Sequence, residues 1–267
     1  MELARTCLPV RAATRIPRDP LRAHPVFWSA PIDLAALLLA PQLFTRDVPI
    51  SQTVAVLVIL ILSLAVHEVA HAWVAWKRGD PTAKNLGRIT LDPLPHIDLW
   101  WTILLPSLLW FGSGGRFIFG GAKPVPVVFQ NLKRPYPDMA LVAVAGPLSN
   151  VAIAVLFELI LKIVGTELQI WNSAHIGWQI LDMGVQLNLI LAVFNLLPIP
   201  PLDGSRIMNW LLPESLREGY MRLESIGFLL IMFFLWGLPQ ISNPLILNSM
   251  TTLRDVVRQI VTVGGLW

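Results

Sequence analysis

The sequence predicts an α-helical polytopic membrane protein. Of its 267 residues, 55% are hydrophobic and only 14% charged, against about 25% charge in a soluble domain. The apolar residues gather in runs, and the clearest, VAVLVILILSLAV at 54–66, carries no charge. The charges collect between the runs, with Lys77, Arg78, Lys84 and Arg88 following this one, where basic residues orient a chain in the bilayer. These observations predict one membrane domain of five to six apolar segments, with a small β or re-entrant element, in place of a chain of soluble modules.

Composition also excludes several classes. The net charge of +3 sits outside the apolar runs and makes no nucleic-acid footprint. The partner it implies is the lipid bilayer. A single cysteine, Cys7, excludes an internal disulfide and a cysteine-based metal cluster. Eleven tryptophans suit a chain that crosses the membrane interface repeatedly.

Three regions follow: a tail at 1–27, a membrane domain at 28–240 and a C-terminal segment at 241–267. The tail carries Arg5, Arg11, Arg15, Arg18 and Arg22, with Pro9, Pro17, Pro20 and Pro25 against a long helix. It reads as a disordered basic arm on the cytoplasmic side, without the apolar core of a cleaved signal. Residues 28–45 read as a first span despite Pro31, Asp33 and Pro41. Residues 52–76 are long enough to cross at about 1.5 Å per residue. The basic residues after them place that helix's C-terminal end toward the cytoplasm.

Residues 79–98 are polar and rich in turn formers. Residues 99–112 are apolar but too short for a full span, which suits a re-entrant or interfacial segment. The run GGAKPVPV at 120–127 reads as an edge strand, because proline has no N–H for a central one. Such an edge inside a membrane protein has to line a cavity or receive another strand. Residues 138–164 form a third helix, in which Glu158 and Lys162, four apart, read as a self-neutralising pair or a snorkelling lysine. Residues 178–200 form a fourth, broken by Pro198, Pro200 and Pro201 just before Asp203. Residues 223–238 form a fifth. Residues 241–264, with Arg254, Asp255 and Arg258, read as an amphipathic interfacial helix.

The chemistry concentrates at His67-Glu68-Val69-Ala70-His71, directly after the uncharged run. Ionisable groups in such a place are costly and mark function. On a helix, residues four apart share a face, so both imidazoles reach one metal ion. Glu68 lies about 100° around the helix, able to face a metal-bound water without being a ligand. The plainer alternative is a pair of histidines hydrogen-bonded inside a bundle. A catalytic zinc needs a third protein ligand. His24 lies in the tail and His175 in a far-side loop, while Asp92, His96 and Asp98 lie in the polar loop. Asp203 stands where a broken helix returns to the depth of the histidines. It reads equally as a ligand or as a turn aspartate before Gly204.

Five pieces occur in a fixed order: HEVAH at 67–71, GDPTAKNLGRITLDPLPHID at 79–98, GGAKPVPV at 120–127, AGPLSN at 145–150 and NLLPIPPLDG at 195–204. In these the chain resembles the site-2 protease family of intramembrane zinc metalloproteases, in a minimal form without a PDZ or nucleotide-sensing domain. The basic tail has no counterpart in that pattern. The resemblance implies one Zn2+ held by His67, His71 and Asp203, with Glu68 as catalytic acid and base and Asn150 and Asn195 lining the site, where either amide is a candidate donor to the developing oxyanion. It implies hydrolysis of peptide bonds within or near the transmembrane segments of other membrane proteins. A transmembrane substrate must unwind to expose its carbonyls. The edge at Lys123, Val125 and Val127 is a place to hold the unwound segment by strand addition. The expected location is the cell membrane, with the active site toward the cytoplasm. Two competing functions are a silent membrane scaffold and a metal or proton transporter. The complete set of four catalytic residues argues against the first. The lack of paired, interrupted helices in two related halves argues against the second.

Overall fold

The computed structural model describes residues 50–104, 107–108, 112 and 121–263. The tail at 1–27 and the apolar segment at 28–45 lie outside these residues.

Helix α1 (Ile50–Arg78) carries the uncharged run and HEVAH on one continuous rod. A short helix α2 (Thr82–Asn85) and single turns at Leu94–His96 and Leu99–Leu104 follow. Residues 121–128 are extended and lead into a turn at Phe129–Asn131. Helix α3 (Pro135–Leu161) opens with proline at its first position, where a missing N–H costs nothing. It continues as a wider turn over Lys162–Glu167. Helix α4 (Ile176–Asn195) returns antiparallel to it and stops ahead of the three prolines. Asp203 then opens α5 (Asp203–Leu211). Helix α6 (Glu214–Arg222) is charged and continues through Leu223–Ile226, α7 (Gly227–Met232) and a turn at Phe233–Gly237, where the stretch becomes apolar. Helix α8 (Pro239–Val263) completes the described chain.

Four helical stretches are long and apolar enough to cross a membrane: Val54–Arg78, Pro135–Gly165, Ile176–Asn195 and Glu214–Gly237. The expectation of five to six segments is therefore corrected to four among the described residues. Helix α8 is not one of them. Its buried residues Ser242, Ile246, Val257 and Val261 recur at near-helical spacing. Val257 packs with Ala154 and Leu161 of α3 and Val185 and Leu189 of α4, while Ile246 joins Val56, Phe194 and Ile231.

The β element is corrected as well, since no strand occurs among the described residues. Residues 121–128 are extended, but side chains and isolated carbonyls satisfy their backbone. The Thr102 hydroxyl donates to Gly121 O at 2.7 Å, and Lys123 N–H donates to His96 O at 2.7 Å. Arg88 Nη2 donates to the carbonyls of Lys123 and Pro124, at 2.7 and 3.2 Å. Val125 N–H donates to Glu68, and Val128 N–H donates to Asp80 at 2.6 Å. With these groups engaged and two prolines lacking donors, no ladder forms.

Helix α3 is the hub and touches α1, α4, α5 and α8. Where α1 meets α3 the packing is small: Ala72 and Ala75 against Ala143 and Val142, with Val125 and Val127 inserted from the extended segment. Small residues allow close helix approach in a membrane. A second cluster is filled by larger side chains, among them Val56, Leu187, Phe194, Leu202 and Ile231. The expected Glu158–Lys162 pair is not made. Glu158 bonds Arg258 at 2.9 Å and lies 3.6 Å from Arg254, which also pairs with Asp182 on α4. Lys162 donates to Val261 O at 3.4 Å. The acids of two spans thus take the arginines of α8, which fastens that helix across them.

Candidate active site and metal centre

Seven polar side chains are buried inside the apolar bundle: His67, Glu68, His71, Asn150, Asn188, Asn195 and Asp203, each no more than 1% exposed. Helix α1 supplies the first three, α3 and α4 the asparagines, and the start of α5 the aspartate. Buried polar groups on this scale require defined partners.

The imidazoles stand edge to face, 4.6 Å between centroids, with Nε2 atoms 3.0 Å apart. Asp203 Oδ2 lies 3.2 Å from the Nε2 of His67 and 3.3 Å from that of His71. The opposite ring nitrogens are anchored: His71 Nδ1 donates to Val142 O at 2.7 Å, and His67 Nδ1 to Asn150 Oδ1 at 2.6 Å. Both partners are acceptors, so each Nδ1 carries a proton and each ring turns its Nε2 inward. Neither Asp203 oxygen has a hydrogen bond.

Three acceptors packed this closely need positive charge among them. Tetrahedral zinc with bonds of 2.0–2.1 Å separates its ligands by about 3.3 Å, which matches the spacing seen. The three residues fit the metal.

Two glycines keep this geometry open. A Cβ at Gly146 would lie 2.4 Å from His71 Nε2 and 2.6 Å from His67 Cε1. One helical turn on, Asn150 holds His67, so AGPLSN clears space and orients a ligand from the same face of α3. A Cβ at Gly204 would lie 2.1 Å from Leu196 O. Only glycine lets α5 start against the end of α4 and so bring Asp203 inward.

Glu68 Oε2 accepts the Val125 N–H at 2.8 Å, while Oε1 is buried without a partner. Arg88 is near enough for the Glu68 charge to act on it. Burial lowers the Arg88 guanidinium below its ordinary pKa, and Glu68 opposes that shift. Asn195 spends its Nδ2 on Leu191 O at 3.1 Å and leaves Oδ1 buried and unpaired. Lys123 is exposed. Val125 and Val127 bury their side chains in the α1–α3 core, so the segment presents backbone and Lys123, not valine side chains, to its surroundings.

The other candidate ligands are used locally. His96 Nε2 bonds Thr90 O at 3.1 Å, Asp92 caps Leu94 N–H at 3.0 Å, and Asp98 caps Trp100 N–H at 2.9 Å. His175 accepts from Gly177 N–H and stacks on Trp171. His24 lies outside the described residues. Sequence reasoning missed Asn188, whose only signal is an amide inside an apolar span.

The sequence pattern of peptidase family M50 matches residues 161–238, which include Asp203. "Putative zinc metalloprotease YwhC" of Bacillus subtilis is 40% identical over 187 residues, covering 69% of this chain and 81% of that protein. The chain belongs to peptidase family M50. "Putative zinc metalloprotease Rip2" of Mycolicibacterium smegmatis is 31% identical over 176 residues, and the match covers 66% of this chain and 64% of that protein. "Putative zinc metalloprotease MJ0611" of Methanocaldococcus jannaschii is 29% identical over 186 residues, covering 67% and 83%. No solved structure matches the chain. This M50 peptidase is thus a zinc metalloprotease embedded in a membrane by apolar helices.

Proposed function

We propose that this M50 peptidase hydrolyses peptide bonds within or beside the transmembrane segments of other membrane proteins, with His67, His71 and Asp203 holding zinc and Glu68 moving the proton. One observation carries the reading: two Nε2 atoms and a carboxylate oxygen converge on the helix turn that also carries Glu68, whose Oε1 is buried and unpaired. Zinc bound there supplies a Lewis acid and lowers the pKa of its water to about 7. Glu68 Oε1 is the proton acceptor during attack and the donor to the leaving nitrogen. Oε2 stays tethered to Val125 N–H, which fixes the direction of Oε1.

Substrate binding falls to groups left open around this centre. Asn195 presents an acceptor, not the oxyanion donor expected from sequence, and suits a substrate backbone N–H. The extended segment at Lys123, Val125 and Val127 lies beside Glu68 and would have to exchange part of its present hydrogen bonding, that of Lys123 first, to receive an unwound strand. The end of the bundle holding the site also gathers Lys77, Arg78, Lys84, Lys133 and Arg134, which supports a cytoplasmic orientation in the cell membrane.

The test compares membrane-protein fragments from cells carrying the wild type and Glu68→Gln, together with a purified single-span reporter. Fragments should vanish in the variant while its zinc content stays at one per chain. Equal fragment patterns would overturn the reading.

A further inference from the structure

The amide that holds His67 has two orientations of nearly equal shape and opposite consequence. With Oδ1 toward the ring, Asn150 accepts from Nδ1–H and leaves Nε2 bare. With Nδ2 toward the ring, it would demand a bare Nδ1 and send the proton to Nε2, where it blocks a metal. His71 escapes this ambiguity because its partner, Val142 O, is a main-chain carbonyl and can only accept.

We infer that Asn188 is a positioning residue for the metal centre, acting through Asn150 to fix the tautomer of His67. Asn150 Nδ2 donates to Asn188 Oδ1 at 3.1 Å, and Asn188 Nδ2 donates to Gly184 O at 2.9 Å. The sequence of bonds has one direction. Gly184 O only accepts, so Asn188 must turn its NH2 there and its oxygen toward Asn150. Asn150 must then turn its NH2 to Asn188 and its oxygen to His67. Both asparagines are fully buried, so water cannot supply an alternative partner. Each imidazole is therefore referred to a main-chain carbonyl: His71 directly, and His67 through two amides. Gly184 also allows the close approach this needs, since a Cβ there would meet the Phe157 ring of α3 at 2.8 Å.

The inference rests on His67 being a ligand, and the experiment separates the two. Zinc affinity of the full-length protein in detergent is measured by competition with a chromogenic chelator. His67→Ala should abolish tight binding; if it does not, the ligand assignment fails whatever Asn188 does. Asn188→Leu removes the acceptor and should weaken zinc by about tenfold, the low end for loss of an outer partner. Asn188→Asp keeps an oxygen toward Asn150 but loses the donor to Gly184 O, and should weaken zinc less than Asn188→Leu does. In an Asn150→Ala background, Asn188→Leu should add less than about twofold, because its route to His67 is already cut. Wild-type affinity in Asn188→Leu overturns the inference. So does an equal loss in both backgrounds, which marks a packing effect. If Asn188→Leu does not fold, Asn188→Asp decides: loss as large as that of His67→Ala overturns it.

Discussion

Gly146 lies against His71 so closely that one added carbon would stand 2.4 Å from the ring nitrogen facing the metal site. Replacing Gly146 by alanine should therefore separate fold from function. Alanine favours a helix interior over glycine by about 1 kcal/mol, so helix α3 gains intrinsic stability. The imidazoles must still move aside. Zinc content should fall at least about tenfold and reporter cleavage should be lost, while helical content by circular dichroism is retained.

Val125 has a side chain in the core and a main-chain N–H on Glu68. Val125→Pro removes the donor of this tether together with the valine's own packing, whereas Val125→Ile keeps the donor. Hydrogen bonds to charged groups are worth about 1.5–3 kcal/mol, so kcat for Val125→Pro should drop by about tenfold or more with zinc still bound. Val125→Ile should remain close to wild type. Steady-state cleavage of the reporter, normalised to zinc, reads both.

Asp80 is fully buried and accepts from Thr82 N–H, Thr82 Oγ1, Asn131 Nδ2 and Val128 N–H. It joins the turn after α1 to the far end of the extended segment. Asp80→Ala strands Val128 N–H and should destabilise the protein by about 3 kcal/mol. Limited proteolysis should then open the chain near residue 128 at lower temperature than in wild type.

Arg254 joins Glu158 and Asp182, on two different spans, to α8. Removing it leaves two partly buried carboxylates short of a cation, which is far costlier than losing an exposed ion pair. Arg254→Ala should lower the thermal midpoint in detergent and expose α8 to protease. Zinc affinity should not change, because none of these groups reaches the histidines. Arg254→Lys should recover part of the loss.

The histidine pair and Glu68 were legible because helical spacing is a local property of five residues. Asp203 was legible as a candidate by its place after the prolines, and the ordered motifs singled it out. The extended segment was read as a strand because its valine–proline alternation is local, while the groups that satisfy it are not. Glu68, Asp80 and Arg88 lie 57, 48 and 35 residues from their main-chain partners. Glu158 and Lys162 suited a helical pair, but Arg258, 100 residues on, takes the carboxylate. Asn188 was invisible for the same reason: its meaning lies in Asn150, on another helix.

The ligand set closes late in the chain. His67 and His71 are in place once α1 is made, but Asp203 follows more than 130 residues later, after α3 and α4 have been inserted and turned back. A chain made only that far holds two histidines without their anion, so the proposed zinc centre cannot be complete before residue 203 is in place.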